Sequence, residues 1–275
     1  MRISVLVLLI SSFILLFNSV LAQDAPPSPD VSKDNSILSP EEREARKKAA
    51  LEFLRSKAEK YFVEADKIGT AKKSFTANLM ICKVSNDSVS TAKGKLYIKK
   101  SGDVVRVLWV EYNEKEEIVN KVLLAGAYLQ SYYPLENYAK SYNIKKNDVY
   151  TIQFPVATGF SKELLGSFYV IGVPEASGQG SDPKLDATDK NWHEHSPSNA
   201  ESMEFMPKDN WLKGLVKTIK IWFDKDSFFL KQVEMKDIKG LRAIARLLDI
   251  KQADNLDDNI FNLRLRGVKI EKMNE

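Results

Sequence analysis

Cysteine is nearly absent from this chain: Cys82 is the single one in 275 residues. That excludes a disulfide framework and any zinc site built on cysteine pairs, so an apolar core must hold the chain together. Histidine is almost as scarce, with only His193 and His195. A Ser-His-Asp or Cys-His relay would have to run through one of these two, and Cys82 lies far from both along the chain. No Gly-rich phosphate loop occurs. Neither sign of charge dominates. The 41 Lys and Arg stand against 37 Asp and Glu, a net charge of +4, too weak to argue for a nucleic-acid partner. After the first twenty or so residues no apolar run is long enough to span a bilayer as a helix.

What is present begins with a targeting segment. Arg2 precedes an apolar run from Ile3 to Phe17, and Val20-Leu-Ala22 offers a cleavage site before Gln23. This pattern predicts a secretory signal over residues 1–22, cut after Ala22, and a periplasmic destination. Position 23 is Gln rather than Cys, so the mature N-terminus is not itself a lipidation site. Loss of 22 from 275 residues leaves 253, and loss of Arg2 leaves 40 basic residues against 37 acidic, a net charge of +3. Residues 23–39 hold Pro26, Pro27 and Pro29 among Ser and Asp, and read as a flexible tether. Residues 40–275 read as one domain with a Gly-, Ser- and Pro-rich surface insertion at about 175–200.

Ser39-Pro40-Glu41-Glu42 has the form of a helix start, with a Ser cap, Pro in the first position and acids in the first turn. A helix to about Asp66 should follow, its narrow stripe formed by Ala50, Leu54, Ala58, Phe62 and Ala65. Beyond it, period-two patterns dominate. Phe75, Ala77, Leu79 and Ile81 share one face of a strand, with Met80 and Cys82 on the other. Between Gly94 and Pro134 four β-type runs follow one another too closely for crossover helices, which predicts antiparallel pairing. Further strands are expected over Ala139–Ile144, Val149–Phe154, Phe168–Val173, Met203–Met206, Val216–Asp224 and Phe228–Lys236, with a last one carrying Phe261, Leu263 and Leu265. Leu241–Ile250 fits either a strand or a helix, and its place in a meander favours strand. A short helix is expected over Phe160–Leu165. The fold class is therefore α+β. About ten or eleven strands form a curled antiparallel sheet, an incomplete β-barrel, with one long N-terminal helix and short helices covering the concave face.

Two motifs invite chemistry and do not support it. Ser90-Thr-Ala-Lys93 matches Ser-x-x-Lys but lies between strands, where the pair cannot sit one helical turn apart. His193 and His195 are spaced to share a metal on an extended segment, but no third ligand is evident, and Trp192-His193-Glu194-His195 reads as a solvated loop. The expectation is of no catalytic residue, no metal and no cofactor.

The order of these runs resembles the periplasmic lipoprotein carrier family LolA and its outer-membrane lipoprotein-sorting relatives. The resemblance rests on Gly94-Lys-Leu-Tyr-Ile-Lys-Lys100, the Arg-centred Val105-Arg106-Val107, a strand ending at Gly126, Leu129-x-x-Tyr132-x-Pro134, then Ile219-x-Ile221-x-Phe223-Asp224 and Asn259-x-Phe261. It covers about Leu54 to Ile270, and departs from the family at Lys100-Ser101, Leu124-Ala125 and Gln130. It implies a soluble monomeric carrier that shuttles the acyl chains of lipoproteins, or another lipid, toward the outer membrane. The implied partners are an inner-membrane lipoprotein-release transporter and an outer-membrane acceptor. By matching positions, Leu54, Leu96, Ile98, Val105, Val107, Val122, Ile219, Ile221 and Phe223 would line the cavity, and Leu164 and Leu165 match a lid helix. Lys100 stands where the family has an Arg that influences lid closure. The second reading is an envelope sensor or regulator on the same half-barrel. Both faces of Asp103–Tyr112 are apolar, so that strand alone leaves its concave side open.

Overall fold

The computed structural model describes residues 39–71, 74–85, 88–101, 104–125, 128–143, 165–172, 191–208, 210–253 and 256–272. The signal segment, residues 23–38, the Val149–Phe154 run, Leu164 and most of the 175–200 stretch lie outside the described residues.

The helix α1, Pro40–Ala71, starts as its sequence dictates. The Ser39 hydroxyl accepts from the Glu42 N–H at 3.2 Å while the Glu42 carboxylate accepts from the Ser39 N–H at 2.9 Å, a reciprocal capping box. Its apolar stripe is shorter than the pattern suggested. Ala58, Phe62 and Ala65 are buried and Leu54 is half-buried, but Ala50 is exposed, as is every residue from 40 to 50. The helix meets the sheet from Leu54 onward, where Leu54, Ala58, Phe62 and Ala65 fall on one side, while Phe53 points to solvent.

The strands are β1 (Ser74–Val84), β2 (Val89–Ser101), β3 (Val104–Tyr112), β4 (Ile118–Ala125), β5 (Tyr128–Tyr133), β6 (Tyr138–Asn143), β7 (Phe168–Gly172), β8 (Ala200–Pro207), β9 (Val216–Asp224), β10 (Leu230–Asp237), β11 (Arg242–Gln252) and β12 (Lys269–Lys272). A single helical turn, α2 (Asn210–Lys213), joins β8 to β9. The twelve strands form one sheet in the order β12-β6-β5-β4-β3-β2-β1-β11-β10-β9-β8-β7. It is curled and open, since the edges β7 and β12 do not pair with each other. The leading reading of Leu241–Ile250 is confirmed: it is the strand β11, between β1 and β10. The turn before it closes at Gly240, whose φ of +89° is a conformation glycine adopts readily.

Two expectations are corrected. Phe261-Leu263-Leu265 is no strand. Phe261 closes a 3-10 turn, Asp258–Phe261, in a segment that lies on the outer face of the sheet, where Leu256, Phe261 and Leu263 pack on Leu108, Val110 and Leu123. The last strand is instead β12, and it pairs with β6 in parallel, where the other pairings are antiparallel. This segment explains why β3 is apolar on both sides. Val107 and Trp109 face the inner core, and Leu108 and Val110 face the C-terminal segment. Asp258 fastens it, 3.1 Å from Lys99 and 2.7 Å from Arg106, and the Lys99 ammonium donates to the Leu256 carbonyl at 2.6 Å.

The second correction concerns Trp192-His193-Glu194-His195, which is not a solvated loop. Trp192 is only 3 % exposed and His193 is buried. The indole covers Met80, Cys82 and Ile244 on the outer face of β1 and β11, and Arg246 stacks on it with its guanidinium carbon 5.0 Å from the ring centroid. Arg246 is held in turn by Gln232, at 2.7 Å, and by the His195 carbonyl. Burial pushes the Cys82 thiol up to about 11, so it stays protonated and inert.

Candidate functional site

Strand pairing fixes one inner face. Phe75 lies opposite Ile98, Ala77 opposite Leu96, Ile98 opposite Val107, Val107 opposite Leu124, and Leu124 opposite Leu129. On the other side of β1, Met203 faces Ile221, and Phe205 faces Ile219. Leu96, Ile98, Val107, Val122, Leu165, Ile219, Ile221 and Phe223 are thereby brought into a single buried cluster, with Leu54 and Val105 half-buried at its margin. Lys100 pairs with Val105 and is half-buried. Leu164 lies outside the described residues.

The helix α1 covers the β7–β9 side of this face. Phe62 packs edge-on to Phe223 at 5.3 Å between centroids and tilts over Phe205 at 5.8 Å. A polar clasp adjoins these rings. Glu201 on β8 accepts from the Tyr61 hydroxyl and from the Lys57 ammonium, the latter at 2.5 Å. The Glu201 side chain is 12 % exposed. Burial pushes its pKa up, but hydrogen bonds from Lys57 and Tyr61 and the charges of Lys57 and Lys225 outweigh burial and hold the carboxyl below its ordinary value of 4.5. A depressed carboxylate stabilises the fold above the ordinary value, and the contribution disappears as pH falls through the depressed one. Glu201→Gln should therefore lower stability at pH 7 by about 1–3 kcal/mol and flatten its pH dependence below 4.5. Urea unfolding at a series of pH values checks this, and an unchanged acid slope in the variant would refute the clasp.

The opposite side of the inner face opens into a cleft of about 290 Å³ over β1–β6. Its floor is apolar and continuous with the core, because Ile81, Ala92, Trp109 and Val122 belong to both. Its far end is polar. Lys83 on β1, Ser90 on β2, Glu111 on β3, Asn120 on β4, Ser131 on β5 and Lys140 on β6 each bring one polar group to it. Burial raises the Glu111 carboxyl, opposed by a hydrogen bond from Asn120 and the charge of Lys83, and burial lowers the Lys83 ammonium, opposed by Glu111. Ser90 reaches this cleft while Lys93, three residues on and so on the opposite side of β2, pairs with Glu116 at 3.4 Å. Ser90 and Lys93 thus form no catalytic pair.

Sequence reasoning missed the polar end. The signal was faint: Glu111 and Asn120 stand in apolar strands at inner parity, one polar residue per strand. Only the register of six strands gathers them.

No family model matches the sequence, and no curated protein matches it. Solved structures similar to this chain include a DUF1329 family protein from Desulfovibrio piger, at 12% identity over 76% of this chain and 97% of that one, with a TM-score of 0.44. An outer membrane lipoprotein-sorting protein domain from Vibrio parahaemolyticus is 15% identical over 74% of this chain and 97% of its own, with a TM-score of 0.41. A LolA superfamily protein from Nitrosomonas europaea is 12% identical over the same shares, 74% and 97%, with a TM-score of 0.35.

Proposed function

We propose that this chain is a periplasmic carrier that binds acyl chains, of lipoproteins or of another lipid, on the concave face of its open sheet. It would take them from an inner-membrane donor to an outer-membrane acceptor. One observation carries the reading. One continuous apolar cluster runs across the inner face, α1 covers its β7–β9 side, and on the other side an amphipathic cleft opens directly onto the same core. An acyl chain exposed to water costs about 0.8 kcal/mol for each CH₂. A carrier must hide it and still release it, which many weak apolar contacts permit better than a few strong directed bonds. The targeting pattern at residues 1–22 supports the compartment.

The test is to secrete the protein in its native envelope, purify it without detergent and extract it with organic solvent. Acyl lipid should co-purify, and a fluorescent fatty acid should bind the delipidated protein. Val105→Glu, at the margin of the cluster, should weaken that binding at least tenfold, because a carboxylate there must be desolvated when a chain enters. A protein free of lipid that also fails to bind the probe would sink the proposal.

A further inference from the structure

The β5–β6 wall of the cleft carries three polar groups that an acyl chain does not use. Ser131 is 8 % exposed and Tyr142 is 7 % exposed, and both line the cleft. Among the described residues neither hydroxyl has a hydrogen-bond partner, and neither is sealed from open space. Lys140 also lines the cleft, half-buried, and makes no ion pair among the described residues.

Strand register puts the three together. Ser131 on β5 stands directly opposite Lys140 on β6, and Tyr142, two residues beyond Lys140, shares their face. That face is the inner one, because Ser131 also stands opposite Val122, and Tyr142 opposite Leu129, both in the core cluster. Directly opposed Cβ atoms are about 4.5–5.5 Å apart and diagonal neighbours about 7–8 Å, a span that one small head group bridges. Burial, and after it the neighbouring Tyr133 phenol, push the Tyr142 phenol up, so its hydroxyl keeps its proton and donates.

Charge narrows the class. Glu111 accepts from Asn120 at 3.4 Å and is offset by Lys83. After burial, Glu111 and Glu136 are what raise the Tyr133 phenol, which marks the acidic end of the wall. At the β6–β12 border Lys269 and Glu271 stand opposite Tyr138 and Lys140 and offset each other. Lys140 is thus the cation left to the cleft. An ammonium only donates, and both hydroxyls have a proton to give, so the head that meets all three is an anion with acceptors alone. A carboxylate is the smallest such group. A quaternary ammonium is excluded, since the face of Tyr138 already holds the Lys140 ammonium, 5.9 Å from the ring centroid. Acyl chains in ester or amide linkage carry no carboxylate at their head; a free fatty acid does. Val122, next to Ser131, and Trp109 beyond it lead the alkyl chain onto the apolar floor.

We propose that Ser131, Lys140 and Tyr142 form a carboxylate subsite, and that the cargo the cleft selects is a free long-chain fatty acid. Lys140 supplies the opposite charge, and the Ser131 and Tyr142 hydroxyls donate to the carboxylate oxygens. This rests on the carrier reading and narrows its lipid class.

The test uses the whole mature protein near neutral pH and four probes with the same twelve-carbon chain, measured by titration calorimetry: dodecanoate, dodecanol, dodecyl phosphate and dodecyltrimethylammonium. Dodecanoate should bind about tenfold more tightly than dodecanol, since a hydrogen bond to a charged group is worth at least that factor. Ser131→Ala, Lys140→Met and Tyr142→Phe should each cut that lead to about threefold or less while leaving dodecanol binding unchanged. Lys121→Met, on the outer face opposite Val110, should change neither. If Tyr142→Phe does not fold, the other two variants and the wild-type ranking still decide. Equal binding of acid and alcohol would overturn the subsite and leave the carrier standing, and so would variants that weaken both probes alike. Tightest binding of dodecyl phosphate would overturn the carboxylate, and tightest binding of the ammonium probe would overturn the anion. Acetate binding as well as dodecanoate would overturn the headgroup role. Binding of none of the four probes would bring down both the subsite and the carrier reading.

Discussion

Phe62→Ala is expected to lower the unfolding free energy by about 3–5 kcal/mol, the range for truncating a buried aromatic. Phe62 is the largest fully buried side chain on the described part of α1. Its ring meets Phe223 at right angles and Phe205 at a tilt, and edge-to-face pairs are worth about 0.5–1.5 kcal/mol beyond the area they bury. The vacated space is lined by β8 and β9, which are fixed by their own ladders, so collapse around it is limited. Phe53, on the same helix but 69 % exposed, is the control. Phe53→Ala should change stability by no more than about 0.5 kcal/mol. Urea unfolding followed by circular dichroism compares the two, and a Phe62→Ala cost near that of Phe53→Ala would mean that α1 is not seated as described.

Gly94→Ala should cost about 3 kcal/mol, the upper end of what overpacking a core costs. A Cβ at Gly94 would lie 2.2 Å from the Val110 carbonyl oxygen and 2.5 Å from Trp109 Nε1. The first contact is with backbone in the β2–β3 ladder and cannot be relieved by a rotamer change. The second would push the indole off its seat against β2. Gly166 offers the contrast, since a Cβ there meets nothing within 4 Å. Gly166→Ala should be neutral or slightly stabilising. Equal thermal midpoints for Gly94→Ala and the wild type would contradict the close approach of β2 and β3.

The physical reasons for success and failure in reading the sequence differ residue by residue. Ser39 and Glu42 announce a helix start because capping is local chemistry, complete within four residues. Strands β1, β3 and β9 announce themselves because short β-branched and aromatic runs send successive residues to opposite faces of the pleat, even where, as in β3, both faces are buried. The same signal misleads at Phe261, Leu263 and Leu265. Alternation there reports one-sided burial against the outer face, and hydrogen-bonded pairing is a separate matter that the pattern does not encode. Trp192 was hidden by its polar neighbours. One indole is enough to anchor a segment, and no periodicity reveals a single anchor. The inner apolar set was legible, Ile98, Val107 and Ile221 among it, because each strand carries several such residues. The polar end of the cleft was not. Lys83, Glu111, Asn120 and Lys140 are one per strand, and their meeting depends on the register of β1 through β6.

The central claim is that acyl chains lie against the inner face of the sheet. The most direct measurement is paramagnetic relaxation from a spin-labelled fatty acid bound to methyl-labelled protein. Methyl signals of Ile98, Val107 and Val122, all on the inner face, should broaden, while those of Leu108, Leu123 and Leu263 on the outer face should not. Broadening confined to the outer-face methyls, or none at saturating probe, would contradict it.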